Sequence, residues 1–135
     1  MSMKYIVKLA IIALLLHVIW ENAQAPLYAG YQSFLQHLPI CSIGALGDVA
    51  ITLLVFAFFW LLKKGTPNTT TDFLVLAIVG FLVAVAIEQH ALLAGKWSYA
   101  PSMPTILGIG LSPILQMTVL LPLSFYLTKK IYAKI

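Results

Sequence analysis

The stretch FLVLAIVGFLVAVAIEQHALL, residues 73–93, decides the fold class. It supplies the roughly 20 mostly apolar residues that a helix needs to cross the hydrocarbon core of a bilayer. Its one acidic residue, Glu88, sits near its end, after Gly80 and Ala84 at four-residue intervals. Residues four apart share a helix face, and small residues let membrane helices approach closely. The carboxylate is therefore predicted on the stripe that faces other helices, away from lipid.

Three further stretches read the same way: residues 5–25, 43–62 and 106–128. The expected architecture is an all-α, single-domain bundle of four transmembrane helices. Composition agrees, with 61% of the 135 residues hydrophobic and 9% charged, and a mean hydropathy of +0.99. Soluble domains run near 45–50% apolar and about 25% charged. An ordinary soluble enzyme, a disordered tail and a nucleic-acid-binding domain are excluded on this ground. A lone cysteine, Cys41, leaves no disulfide framework and reads as inert.

The lysines set the expected topology. Lys4 and Lys8 precede the first span, Lys63 and Lys64 follow the second, and Lys129, Lys130 and Lys134 follow the fourth. With both termini inside, only Lys96 lies outside, which is the positive-inside pattern of a bacterial plasma membrane protein. The segment PLYAGYQSFLQHLPICS, residues 26–42, reads as interfacial, and GKWSYAPSMP as a turn stiffened by two prolines. Ala23-Gln24-Ala25 resembles a signal-peptide cleavage site. Pro26 directly after it argues against cleavage.

Polar residues then fall at one depth. At 1.5 Å rise per residue, Glu21 stands about 25 Å above Lys4, Asp48 about 22 Å above Lys63, Glu88 about 24 Å above Asp72 and Gln116 about 20 Å above Lys129. His17 lies one turn before Glu21. Ala13-His17-Glu21, Gly44-Asp48, and Gly108-Ser112-Gln116 repeat the four-residue spacing of span three. Pro113 is expected to bend span four near this depth.

Charge inside a span is costly, so convergence implies a use. Three carboxyl groups gathered away from water cannot all stay ionised, so one holds a proton to give while a neighbour accepts. Glu88, Glu21 and Asp48 are the candidate proton donors and acceptors, with Tyr99, His17 and Gln116 orienting them. The H-x-x-x-E spacing of His17 and Glu21 also suits a divalent metal, with Asp48, Glu88, His37 or His90 as further ligands; no cofactor follows from the pattern. Plainer readings stay open: Glu21 and Glu88 as helix-end charges, Asp48 as a first-turn carboxylate, His17 as a core histidine, Gln116 as interhelical glue, and His37 and His90 as interfacial.

The segment EQHALLAGKWSYAPSMPTILGIGLSP, residues 88–113, resembles small bacterial four-helix membrane proteins with a span ending in Glu, then G-[RK]-W-x-Y, MP and a Gly-rich helix start. More distantly, Glu88, Gly95, Tyr99, Pro104 and Gly108 are similar to the E…G…Y…P…G arrangement of membrane-embedded carotenoid hydratases and lycopene cyclases. That resemblance implies intramembrane acids that protonate isoprenoid double bonds, although the cyclases' paired-acid motif is missing. The expected function is a small membrane enzyme doing acid/base chemistry on a lipid-soluble substrate. The alternatives are a proton-coupled transporter acting as a homodimer, or a non-catalytic subunit. Membrane lipid is the expected surrounding partner, with no nucleic acid.

Overall fold

A computed structural model describes residues 2–134. The chain is all-α apart from one minute hairpin, with four helices each long and apolar enough to cross a membrane. These are α1 (Met3–Gln24), α2 (Phe34–Lys63), α3 (Thr70–Leu93) and α4 (Leu111–Ala133). Between α3 and α4, β1 (Thr105–Ile106) pairs antiparallel with β2 (Ile109–Gly110). Helix α1 packs against α2 and α4, and α3 packs against α4, which gives the neighbour order α2, α1, α4, α3.

The four-residue spacing governs which faces are buried. On α3, Asp72, Leu76, Gly80, Ala84 and Glu88 are all buried, and on α1 so are Tyr5, Leu9, Ala13 and His17. Opposite faces carry Ile11, Leu15 and Ile19 on α1, and Leu74, Ile78 and Leu82 on α3, all more than half exposed. An apolar rim of this kind needs lipid or other apolar helices around it, not water. At the lysine-bearing end, Tyr5, Leu9, Phe56, Phe59, Leu76, Leu121 and Phe125 form an apolar core drawn from all four helices.

Gly80 shows why small residues occupy the α3–α4 seam. A β-carbon placed there would overlap the backbone carbonyl of Met117. Backbone cannot yield as a flexible side chain does, so even a methyl group separates the helices. Gly80→Val is expected to cost about 1–3 kcal/mol through overpacking, read as a lower unfolding midpoint in detergent.

Two expected boundaries, and the placements that followed from them, are corrected. Residues 34–42 are helical, so α2 starts some nine residues before the expected span. Ser33 caps it, accepting the Gln36 N–H at 3.4 Å, and the helix runs on through Pro39. Asp48 therefore lies mid-helix and is not a first-turn carboxylate. The fourth helix starts at Leu111, not 106, because Leu107 (φ 52°) and Gly108 (φ 80°) turn the hairpin with two successive left-handed residues. Gly108 is thus not on the helical stripe of Gln116. Pro113 falls in the first turn of α4, where a missing N–H breaks no helical bond. The proline inside that helix is Pro122.

Candidate functional site

The polar residues near the far ends of the helices form two groups. The first is built around an amide chain whose orientation follows from one donor. An indole N–H can only donate, and Trp20 Nε1 lies 3.2 Å from Gln24 Oε1. Ser112 Oγ donates to the same oxygen at 2.7 Å. The Gln24 amide nitrogen then donates to Gln116 Oε1 at 2.8 Å. Gln116 consequently turns its NH2 toward His17 Nδ1, Glu21 Oε1 and Asp48 Oδ2, each at 3.0 Å.

Counting hydrogens assigns the rest. The amide carries two hydrogens for three facing atoms, so one contact goes without. His17 Nδ1 lies 3.1 Å from Asp48 Oδ2. An imidazole N–H donated to that carboxylate leaves the amide hydrogens for Glu21 and Asp48. The ring's other nitrogen, Nε2, is then the free end. It is fully buried and has no hydrogen-bond partner among the described residues. Buried polar atoms are nearly always paired, so this orphan, on a histidine whose other nitrogen faces a carboxylate, is an exception in the bundle.

Burial is uneven around this group. His17, Gln24 and Gln116 are closed off, whereas Glu21 is half-buried and the Asp48 side chain keeps 14% exposure. The Glu21 carboxyl lies over Gly44, where a β-carbon would just touch it. Asp48 stands on α2, at one end of the helix row. The cluster's open side therefore faces the α2 flank of the bundle.

The second group surrounds Glu88. Its carboxylate accepts from Tyr99 Oη at 2.5 Å and Trp97 Nε1 at 3.1 Å on one oxygen, and from Tyr28 Oη at 3.5 Å on the other. Backbone bonds join the same two loops: Ala29 N–H to the Ser98 carbonyl at 3.0 Å and Ala100 N–H to the Leu27 carbonyl at 2.9 Å. Gly95, at φ 68°, releases the chain from α3 into this roof. Gln24 and Ser112 are the last and nearly the first helical residues beside the roof, so the roof is continuous with the amide chain. Burial, and next the adjacent Glu88 carboxylate, raise the Tyr99 hydroxyl to about 12, and the same causes push Tyr28 up.

Two outcomes can be measured here. A raised phenol favours the protonated, folded state. Tyr99 thus contributes stability in full below the ordinary tyrosine value near 10, and this is lost as pH rises through about 12. An absorbance titration should show a phenolate component near 12 that Tyr99→Phe reduces by one tyrosine. Glu88→Gln replaces one acceptor oxygen with a donor, leaving an aromatic donor unpaired at about 1–3 kcal/mol. Faster amide hydrogen exchange over residues 94–104 is the expected sign.

Of the six predicted site residues, His17, Glu21, Asp48 and Gln116 meet in one cluster, and Glu88 and Tyr99 meet in the other. The three acids, expected to share one site, fall into two hydrogen-bonded groups: three aromatic donors occupy Glu88, and its hydrogen bonds do not include Glu21 or Asp48. Trp20, Gln24 and Ser112 were missed as site members. Gln24 was legible, since it falls seven residues after His17 and shares its face. His37 and His90 join neither cluster. His37 Nδ1 pairs with the Ser33 carbonyl at 3.3 Å, and His90 is exposed beside Lys96 and Trp97. Among the described residues, no three His, Cys, Asp or Glu side chains are grouped to hold a metal. Cys41 donates weakly to the Glu21 carbonyl at 3.6 Å.

No family model, curated protein or solved structure matches this chain.

Proposed function

We propose that this multi-pass membrane protein is a small enzyme performing acid/base chemistry on a lipid-soluble, isoprenoid-like substrate, in a bacterial plasma membrane with both termini inside. The observation that carries the reading is the Gln116 amide nitrogen, 3.0 Å from His17, Glu21 and Asp48 at once. Two helices, α1 and α2, bring three titratable groups to an amide supplied by a third, inside an apolar bundle, at a cost that plain structural pairing does not require.

The roles follow from the contacts. Asp48 holds His17 by Nδ1, and the buried Nε2 exchanges a proton with substrate once the α2 flank opens. Glu21 is the second carboxyl, poised to take or return a proton from the half-open side. Gln116, fixed through Gln24 by Trp20 and Ser112, positions all three. Glu88 with Tyr99, Trp97 and Tyr28 ties down the roof and keeps water out, which strengthens each polar interaction beneath it. Substrate enters laterally from lipid past Asp48 on the α2 flank.

A dimeric proton-coupled transporter would place its acid where either side of the membrane can reach it in turn. Here a roof tied down at Glu88 covers one end, and the apolar core closes the other, which favours chemistry over passage. The test compares lipid extracts from a strain lacking the protein and complemented with wild type or Glu21→Gln. A nonpolar species should change with wild type and return to the deletion level with the variant. Unchanged extracts throughout, with copurifying membrane partners instead, would point to a subunit role.

A further inference from the structure

At the opposite, lysine-bearing end, the bundle holds a cavity of about 240 Å³ that the acid/base site does not use. Its lining includes the aromatic residues Tyr5, Trp60 and Tyr132, with Ser2, Thr66 and Lys129. Tyr5 is 5% exposed, yet its hydroxyl has no partner among the described residues. Two more amines stand over the aromatic walls: Lys8 Nζ is 5.3 Å from the Tyr132 ring centre, and Lys64 Nζ is 5.2 Å from that of Trp60. Lys129 is held at the rim by the Asn68 side chain at 2.9 Å.

Among the described residues, no carboxylate side chain lines this cavity. The acidic residue at this end, Asp72, is committed to Lys63 at 2.5 Å and to the Asn68 and Thr69 N–H groups at 2.9 and 3.0 Å. The described side chains at the cavity therefore present positive charge only. The cavity lies where α1 begins and α2 and α4 end, at the depth of lipid headgroups. Basic pockets between transmembrane helices at such a level suit anionic headgroups.

We infer that this cavity binds the headgroup of an anionic phospholipid, with the phosphodiester at Lys129 and the glycerol and first methylenes against Tyr5, Trp60 and Tyr132. Apolar aromatic walls favour an amphiphile over a free ion, because a hydrated phosphate gains nothing from ring faces and loses water to reach them. Amines at the membrane surface each favour anionic lipid by about fivefold in affinity. The site is independent of the acid/base reading and stands or falls alone.

The experiment reconstitutes the full chain in phosphatidylcholine bilayers carrying brominated phosphatidylglycerol or brominated phosphatidylcholine and reads tryptophan quenching. Trp60 lines the cavity, while Trp20 and Trp97 at the far end give a background common to both lipids. The expected result is a relative affinity for phosphatidylglycerol about fivefold or more above phosphatidylcholine, lowered to near parity by Lys129→Gln and unchanged by Lys96→Gln. Lys8→Gln, also expected to lower it, serves if Lys129→Gln does not fold. Equal quenching by the two lipids overturns the inference, as does a preference that both lysine variants retain. Displacement of brominated phosphatidylglycerol by inorganic phosphate overturns it too, in favour of a free-anion site.

Discussion

Gln116→Leu is expected to lower the stability of the bundle by about 2–4 kcal/mol, the largest loss from any single polar substitution in the protein. One interhelical hydrogen bond in a membrane contributes on average about 0.6 kcal/mol and at most about 1.7. Gln116, however, bonds to Gln24, Glu21 and Asp48 and packs against His17. Its removal leaves several buried groups unpaired together, and each orphan costs about 1–3 kcal/mol where no water reaches it. The control is Ser112→Ala, which removes one donor to Gln24 and is expected to cost about 1 kcal/mol or less. Unfolding by denaturing detergent in mixed micelles checks both. Equal losses for the two variants would mean that Gln116 does not join the three helices.

Asp48→Asn is expected to leave the fold intact and to cut turnover by about 10²–10⁴-fold, the usual contribution of a positioned acid or base. Asparagine keeps the shape but offers an amide to both the His17 N–H and the Gln116 NH2. One of those donors then faces a donor. The ring is free to flip or to place its proton on Nε2, the position needed for exchange. The contrast with Gln116→Leu separates the two roles: Gln116 acts mainly on stability, Asp48 mainly on rate. Glu88→Gln should fall between them, because it loosens the roof without touching His17.

Much of this arrangement is visible in residue spacing. The stripes Gly80-Ala84-Glu88 and Ala13-His17 are buried as the four-residue repeat requires, because one helix face must meet its neighbours whatever the surroundings. The common depth of Glu21, Asp48 and Gln116 follows from counting residues from the lysines. The division of the acids does not. Whether Glu88 meets Asp48 or an aromatic cage depends on how two loops fold back on each other. The pairing of Leu27 and Ala29 with Ala100 and Ser98 leaves no periodic trace.

The boundaries fail for local reasons. Pro39 and the aromatic residues before it suggest an interfacial segment, yet a capping serine at 33 starts a helix that one proline does not stop. Leu107 is an unusual residue at positive φ, so the hairpin ahead of α4 carries only half of its usual Asn-Gly or Gly-Gly signature. Gln24 was hidden by its neighbours: flanked by two alanines, it resembles a processing signal, while its distance from His17 places it on the functional face.

In the proposed function, His17, Asp48 and Glu21 move protons to and from a lipid-soluble molecule. Membranes containing the protein, incubated in heavy water and then extracted, test it most directly through deuterium bound to carbon in the nonpolar fraction. Wild-type membranes should incorporate deuterium into a non-exchangeable position, and Asp48→Asn membranes at matched protein level should not. Incorporation that is absent with wild type, or undiminished in the variant, would contradict the account.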